Sequence, residues 1–187
     1  LIINRFCLFV FLFLAVATGL GCSNASLSPT GGKETYVTQL NPIPIEAGLG
    51  ADQRRLIVNA VSLIKAKQLT EAGHLLDQAL ATFRDRMTNP DAKYVSAPTK
   101  AELDAFSIES NAASNIIWVD WGFREVLHLK AFIESTFKRF ELALHFLDEE
   151  IRYAPTASAP YVERGYILSQ QGKSRAALEA YTLALDL

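Results

Sequence analysis

The chain has 187 residues and a formal net charge of −2; half of its residues are apolar and a fifth are charged. This composition excludes a disordered or collagen-like chain. The near-neutral charge argues against a nucleic-acid-binding protein, which normally carries a basic excess. Two cysteines are too few for a disulfide scaffold. The length fits one domain or slightly more.

The first segment, 1–21, has the features of an export signal. Arg5 supplies a positive charge, an unbroken apolar run extends from Phe6 to Ala17, and the small residues Gly19 and Gly21 follow. This order is typical of a secretory signal peptide. A short uncleaved anchor is the alternative, although the run is shorter than the roughly 20 apolar residues that span a bilayer.

The apolar run ends in the sequence Gly19-Leu20-Gly21-Cys22-Ser23, which resembles the lipobox of bacterial lipoproteins. Gly21 matches the family pattern, whereas Gly19 and Leu20 depart from it. The resemblance implies that Cys22 is lipidated and attaches the protein to a membrane, and Ser23 resembles the residue of lipoproteins sent to the outer membrane. We therefore expect an envelope protein facing the periplasm. Ordinary cleavage that leaves Cys22 as a thiol is the alternative.

The stretch 22–50 is rich in glycine, proline, serine and threonine. Such a composition buries too little apolar area to offset the entropy lost on ordering. We therefore predict a flexible tether between the lipidated cysteine and a folded part. The piece from Tyr36 to Ile45 contains two prolines that favour extended backbone, so an extended path across the folded part is the alternative for it.

Two C-terminal stretches align with each other at an offset of about 34 residues. Each has the pattern of a helix, a short polar turn and a second helix, with small residues where antiparallel helices would approach closely. The stretch 158–187 has at these offsets Tyr161, Gly165, Leu168, Gly172, Ala177, Tyr181, Ala184 and Leu185. The stretch 124–157 has Leu127, Ala131, Phe140, Ala143, Leu147 and Pro155.

A third stretch, 51–86, fits the same offsets with Leu56, Ala60, Leu63, Leu69, Ala72, Leu76, Ala79 and Leu80. The three together resemble the tetratricopeptide repeat, a helix-turn-helix unit of about 34 residues. The resemblance implies an all-α solenoid of about three units, with an insertion at 87–123 between the first and the second. Glu134 and Glu150 depart from the pattern, because the family prefers apolar or small residues there, and we expect a looser or more exposed contact at both.

The insertion has local signals of its own. A turn is predicted at 89–91 and a short extended piece at 93–96. Thr99 with Glu102 forms a capping box, which predicts a helix through about Ser110.

An aromatic stretch, 115–122, closes the insertion, and we expect it to begin the helix that continues through Phe137. In that helix Trp118 and Trp121 would share a face. Two interpretations remain open for this pair. The rings either pack the insertion against the repeats or form an exposed contact for a partner, where tryptophan is enriched.

In tetratricopeptide proteins the first helix of each unit lines a concave groove. The resemblance implies a partner-binding groove here, and its residues share no single chemistry, being aromatic, aliphatic and polar with few charges. They are Arg54, Ile57, Val61 and Lys65 in the first unit, Glu125, His128, Phe132 and Thr136 in the second, and Val162, Tyr166, Ser169 and Gln170 in the third. An extended or helical peptide segment is the expected ligand.

No phosphate-binding loop, nucleophile elbow or zinc-protease motif occurs in the sequence, so we expect neither catalysis nor a cofactor. His145 and Glu149 share a helix face and would form a metal site if His128 joined them, although ion-pair roles are commoner for such residues. The acidic run 148–150 is interpreted as a solvated helix end. Because acids do not suit the dipole at this end of a helix, a binding face is the alternative.

These features favour a lipid-anchored scaffold that binds other proteins and does not bind nucleic acid. One alternative is a regulatory or substrate-recruiting subunit of an envelope hydrolase or protease; the least favoured is an enzyme in its own right. The last unit stops inside its second helix at Leu187. Because repeat arrays usually end in a polar capping helix, we also expect either a continuation of the chain or an end-to-end homodimer.

Overall fold

Seven α-helices, one short 3-10 helix (Ala51–Gln53) and two short β-strands lie in the part of the chain that the structure, a computed structural model, describes: residues 48–109 and 115–187. The protein is therefore mostly helical, as predicted, but it also contains a small sheet that was not predicted from the sequence. The predicted signal peptide, Cys22 and the tether up to residue 47 lie outside the described residues. None of the described helices is long and apolar enough to cross a membrane.

The elements follow one another with short connections. In chain order they are α1 (Arg54–Lys65), α2 (Leu69–Arg86), β1 (Lys93–Ala97), α3 (Lys100–Glu109), β2 (Ile116–Asp120), α4 (Gly122–Thr136), α5 (Phe140–Tyr153), α6 (Ala159–Gln170) and α7 (Ser174–Leu185). Six of the helices form three pairs, α1 with α2, α4 with α5, and α6 with α7, and the partners in each pair pack on one another.

The turn inside each pair has the same backbone geometry. Lys67, Lys138 and Gly172 occupy equivalent positions and have φ values of 63°, 60° and 74°. In each turn this left-handed residue donates its N–H to the carbonyl three residues back, and the next residue donates to the carbonyl five residues back. This is the hydrogen-bond pattern of a Schellman helix end. Two of the three turns use lysine, although glycine adopts this conformation at less cost.

Small residues let the paired helices approach closely. Ala72, Ala143 and Ala177 lie near the start of the second helix of each pair, and none is more than 3% exposed. In the last pair Gly165 lies under the ring of Tyr181, and a Cβ at this position would come within 2.6 Å of a ring carbon. The repeated small residues of the sequence therefore lie at tight helix contacts.

The insertion folds as a strand, a helix and a parallel strand. β1 pairs with β2 so that Val95 lies opposite Trp118, and α3 connects the two strands across the undescribed residues 110–114. The predicted capping box is present, because the Glu102 N–H donates to Thr99 Oγ1 over 3.2 Å. On the far side of β2, Leu49 donates its N–H to the Trp118 carbonyl over 3.1 Å, so the chain enters the fold beside this strand.

The prediction that residues 115–122 begin the following helix is wrong. Ile116–Asp120 is a strand, and α4 begins only at Gly122. The β-branched and aromatic residues of this run favour extended backbone, and β1 offers a strand to pair with. Asp120 then ends the strand and begins the helix, since its Oδ1 accepts the Gly122 N–H over 3.0 Å.

The expectation of looser contacts at Glu134 and Glu150 is also wrong. These residues are only 4% and 1% exposed. Each carboxylate is buried against a partner: Glu134 lies between Lys130 and Arg139, and Glu150 faces His128. A buried carboxylate needs such partners, because its desolvation would otherwise cost several kcal/mol, on the order of 3 or more.

Candidate functional site

A cluster of ionisable side chains lies where the second helix pair meets the third. At its centre His128 Nδ1 on α4 lies 3.0 Å from Glu150 Oε2 on α5. The imidazole is 17% exposed and the carboxylate only 2%. Because a charged hydrogen bond in such surroundings is poorly screened, this pair links the two helices of the second unit more strongly than a surface ion pair would.

Two further carboxyl groups flank this pair. Glu125 lies one helical turn before His128 on α4 and is 8% exposed. Glu163 comes from α6 and is electrostatically coupled to both His128 and Glu150. Its Oε1 atom is buried and accepts no hydrogen bond from any part of the chain that the structure describes. Three helices therefore place three carboxyl groups around one imidazole.

The cluster changes the proton affinity of its members. Burial alone would lower the pKa of His128, but the charge of Glu150 and the hydrogen bond to it raise the pKa to about 9. Burial raises the pKa of Glu125 and of Glu163, and although His128 opposes the shift, Glu150 adds to it. The imidazole is therefore charged at neutral pH, whereas the two flanking carboxyls hold protons more tightly than usual.

These shifts predict that the free energy of unfolding falls as the pH rises. The folded protein binds the His128 proton up to about pH 9, whereas an unfolded histidine loses it near pH 6.5. The stabilisation is complete below about pH 6.5 and is lost as the pH rises to about 9, a change of up to about 3 kcal/mol. The raised pKa values of Glu125 and Glu163 also make the free energy of unfolding fall as the pH rises. Urea unfolding between pH 6 and 9 measures the slope.

A His128→Gln variant is the control for this pH dependence. Glutamine does not titrate, so the curve should become flatter between pH 6.5 and 9. An equally steep fall in the variant would show that other groups cause it.

The predicted groove residues differ in exposure from one helix pair to the next. In the first pair, Ile57 and Val61 are 2% and 7% exposed, so their side chains belong to the core and do not line an open surface. Lys65 is exposed, while Arg54 is turned toward Asp120 at the end of β2. The first pair therefore contributes little accessible surface at the predicted positions.

The second and third pairs carry the accessible part of the predicted groove. The partly exposed residues are His128, Phe132, Val162 and Tyr166. Three predicted residues nearer the helix ends are exposed, namely Thr136, Ser169 and Gln170. Burial raises the pKa of the Tyr166 hydroxyl and neighbouring Glu163 raises it further, which places Tyr166 beside the acidic cluster.

Trp118 and Trp121 do not share a helix face. Trp118 lies on β2, where its Nε1 donates to the Ala97 carbonyl over 3.0 Å and its ring packs on the small core of the insertion. Trp121 lies in the turn before α4, and Arg54 Cζ stands 5.7 Å from its ring centroid. Trp118 therefore packs within the insertion, and only Trp121 lies against a residue of the helix pairs.

The residues considered for a metal site point to different partners. Glu149 accepts hydrogen bonds from Arg84, at 2.7 Å for the shorter, whereas His128 pairs with Glu150. His145 packs its ring near Phe146. Within the described ranges, no group of three or more His, Cys, Asp or Glu residues has the arrangement of a metal site.

Glu150 and Glu163 belong to the site although neither was predicted from the sequence as a member of it. The interpretation of 148–150 as a solvated helix end is wrong for Glu150, which is 1% exposed. One signal was available: Glu150 stands where the repeat pattern has a small residue, so its side chain must enter a helix contact. Glu163 had no such signal, since nothing local shows which residue of the preceding pair it faces.

Comparison with known proteins adds no relative from which to interpret this site. No family model matches the chain, and no curated protein has significant sequence similarity to it. The function of the chain is therefore inferred from the geometry of its described residues.

Proposed function

We propose that the chain is a tetratricopeptide-like scaffold that binds a protein segment on the first helices of its second and third pairs. The observation that carries this proposal is the equivalence of the three turns, in which Lys67, Lys138 and Gly172 share one backbone conformation and one hydrogen-bond pattern. Equivalent turns support stacking of the pairs as repeats. In stacked repeats the first helices form a continuous extended surface.

The composition of this surface supports peptide binding. Phe132 on α4 and Tyr166 on α6 supply aromatic area that is only partly buried, and the cluster around His128 supplies polar groups beside it. Aromatic residues flanked by polar ones are typical of protein-binding sites. A protein segment lying along α4 and α6 would contact both kinds of group.

Crosslinking tests the proposed surface. The full chain is crosslinked in its native envelope and the proteins that co-purify are identified, beside a Phe132→Ala/Tyr166→Ala variant. We expect the variant to lose a defined partner by about tenfold or more, because each aromatic contact contributes about 1–2 kcal/mol or more. Undiminished crosslinking in a folded variant would contradict the proposal.

A matched control separates loss of the surface from loss of an apolar side chain. Phe137 and Leu178 are 45% and 66% exposed and lie outside the proposed surface. A Phe137→Ala/Leu178→Ala variant should keep the partner. Thermal unfolding of all variants checks that they remain folded.

We also propose that the protein is attached to the envelope by a lipid on Cys22, as the lipobox resemblance implies. The prediction is that the chain incorporates labelled palmitate in a Gram-negative host and that a Cys22→Ser variant does not. A Cys7→Ser variant is the control, because Cys7 lies within the predicted signal. Labelling that persists after Cys22→Ser would contradict attachment at this residue.

A further inference from the structure

The two carboxyl groups that flank the central pair lack the partners that buried acids normally have. Glu125 is 8% exposed, and no described residue pairs with it or hydrogen-bonds to it within the usual distances. Glu163 Oε1 is buried and accepts no hydrogen bond from the described residues. A buried acceptor left without a donor, such as Glu163 Oε1, costs about 1–3 kcal/mol.

His128 and the arginines that neighbour these carboxyls in the sequence also have other partners. His128 is held by Glu150 at 3.0 Å, Arg124 lies 3.9 Å from Glu102, and Arg164 pairs with Asp148. His128 and Arg124 therefore oppose the raised pKa of Glu125, and His128 that of Glu163, without cancelling either shift. With Glu150 included, the cluster has three carboxyls and a single imidazole, so it lacks positive charge.

The position of the two groups indicates where the missing donors come from. Glu125 and His128 lie on one face of α4, and Glu163 and Tyr166 lie one turn apart on α6. His128, Glu163 and Tyr166 are all partly exposed, so the cluster opens onto the surface proposed to bind a protein segment. A donor carried by that segment would approach the cluster from this side.

We propose that Glu125 and Glu163 recognise lysine or arginine side chains of the bound protein segment, with Tyr166 contacting the aliphatic stem. This inference rests on the proposed function and specifies the chemistry of the partner. Ionised carboxylates only accept hydrogen bonds, and ammonium and guanidinium groups only donate them. An acidic or wholly apolar segment would leave both carboxyls unsatisfied, so the site would reject it.

The raised pKa values in the cluster explain how the protein can bury these two carboxyls when no cation is bound. Burial raises the pKa of both carboxyls, so each takes up a proton more readily than a solvated glutamate. The groups that face them are Arg124 and His128 on α4, Glu150 on α5, and Tyr166 on α6, beside which Tyr181 of α7 lies. A bound cation would favour the ionised carboxylates and release any proton they hold.

Selection from a random 12-residue phage-displayed peptide library tests this inference on the immobilised full chain in detergent. We expect the selected peptides to be enriched at least threefold in lysine plus arginine over the unselected library. A Glu125→Gln/Glu163→Gln variant should select peptides without this enrichment. Its control, Glu71→Gln/Glu179→Gln, removes two exposed carboxylates and should keep the enrichment.

Calorimetry on the most frequent selected peptide gives the second readout. Replacing its lysine by norleucine, which keeps the stem and removes the charge, should weaken binding to the wild-type chain about tenfold or more and leave binding to the Glu125→Gln/Glu163→Gln variant unchanged. Glutamine matches the shape of a protonated glutamate, and thermal unfolding checks that the variant is folded.

The outcomes separate this inference from the proposed function. Peptides selected without basic enrichment, or an equal tenfold effect of norleucine on the variant, would overturn cation recognition and leave peptide binding standing. If no peptide is selected by a folded wild-type chain, both the proposed function and this inference fail.

Discussion

Replacing His128 with leucine is expected to lower the free energy of unfolding at pH 7 by about 3–5 kcal/mol, the usual cost of removing one member of a buried ion pair. Glu150, whose carboxylate is 2% exposed, would lose the charged partner that lies 3.0 Å away. It would then lie buried near the carboxyls of Glu125 and Glu163 without a positively charged partner. Urea unfolding measures the loss.

The double variant His128→Leu/Glu150→Leu should recover most of this loss, because two packed apolar side chains need no neutralisation. The exposed pair Arg164 and Asp148 provides the control, since its side chains are 38% and 50% exposed. Arg164→Leu should cost less than about 1 kcal/mol. A loss of that size for His128→Leu, or no recovery in the double variant, would contradict a central role for the buried pair.

The helices could be predicted from the sequence because their signals are local. Apolar residues recur with helical spacing in each helix, and the offset of about 34 residues shows which stretches are equivalent. The Thr99 cap could also be predicted, since both of its partners lie within four residues of each other. Such signals survive in a single sequence because helix geometry and caps depend on near neighbours.

The strand β2 could not be predicted in the same way. Its apolar run at 116–120 is short, and a run of this length fits a buried strand or a helix equally well. The deciding contact is the pairing with β1, which begins at Lys93. The error also misplaced Trp118 and Trp121, since a helical assignment puts residues three apart on one face.

The site was only partly predictable for a related reason. Periodicity predicted which helices carry the proposed groove positions, but the exposure of each position depends on what packs against it. Ile57 is buried where α4 begins, because its Cδ1 lies 2.7 Å from the position of a Cβ on Gly122. Glu163 is a site residue only because the second pair brings His128 and Glu150 close to it. Such contacts between pairs leave no trace in local sequence pattern.

Asp120→Ala is expected to lower the free energy of unfolding by about 2–4 kcal/mol, through the loss of its charged hydrogen bonds to Arg54 and of its bond to the first N–H of α4. The Asp120 side chain is 1% exposed and accepts from both Arg54 Nε, at 3.0 Å, and Arg54 Nη2. Its Oδ1 also accepts the Gly122 N–H. One carboxylate therefore joins the start of α1 and the end of β2 to the start of α4.

Two matched substitutions distinguish the contribution of the Asp120 charge from that of its hydrogen bond to the Gly122 N–H. Asp120→Asn keeps an oxygen for the Gly122 N–H and loses the charge that faces Arg54, so it should cost less than Asp120→Ala. Asp148→Ala removes the same side chain from an exposed pair and should change stability by less than about 1 kcal/mol. Urea unfolding at pH 7 compares the three. Equal costs for Asp120→Ala and Asp148→Ala would mean that the insertion is held against the helix pairs by apolar packing alone.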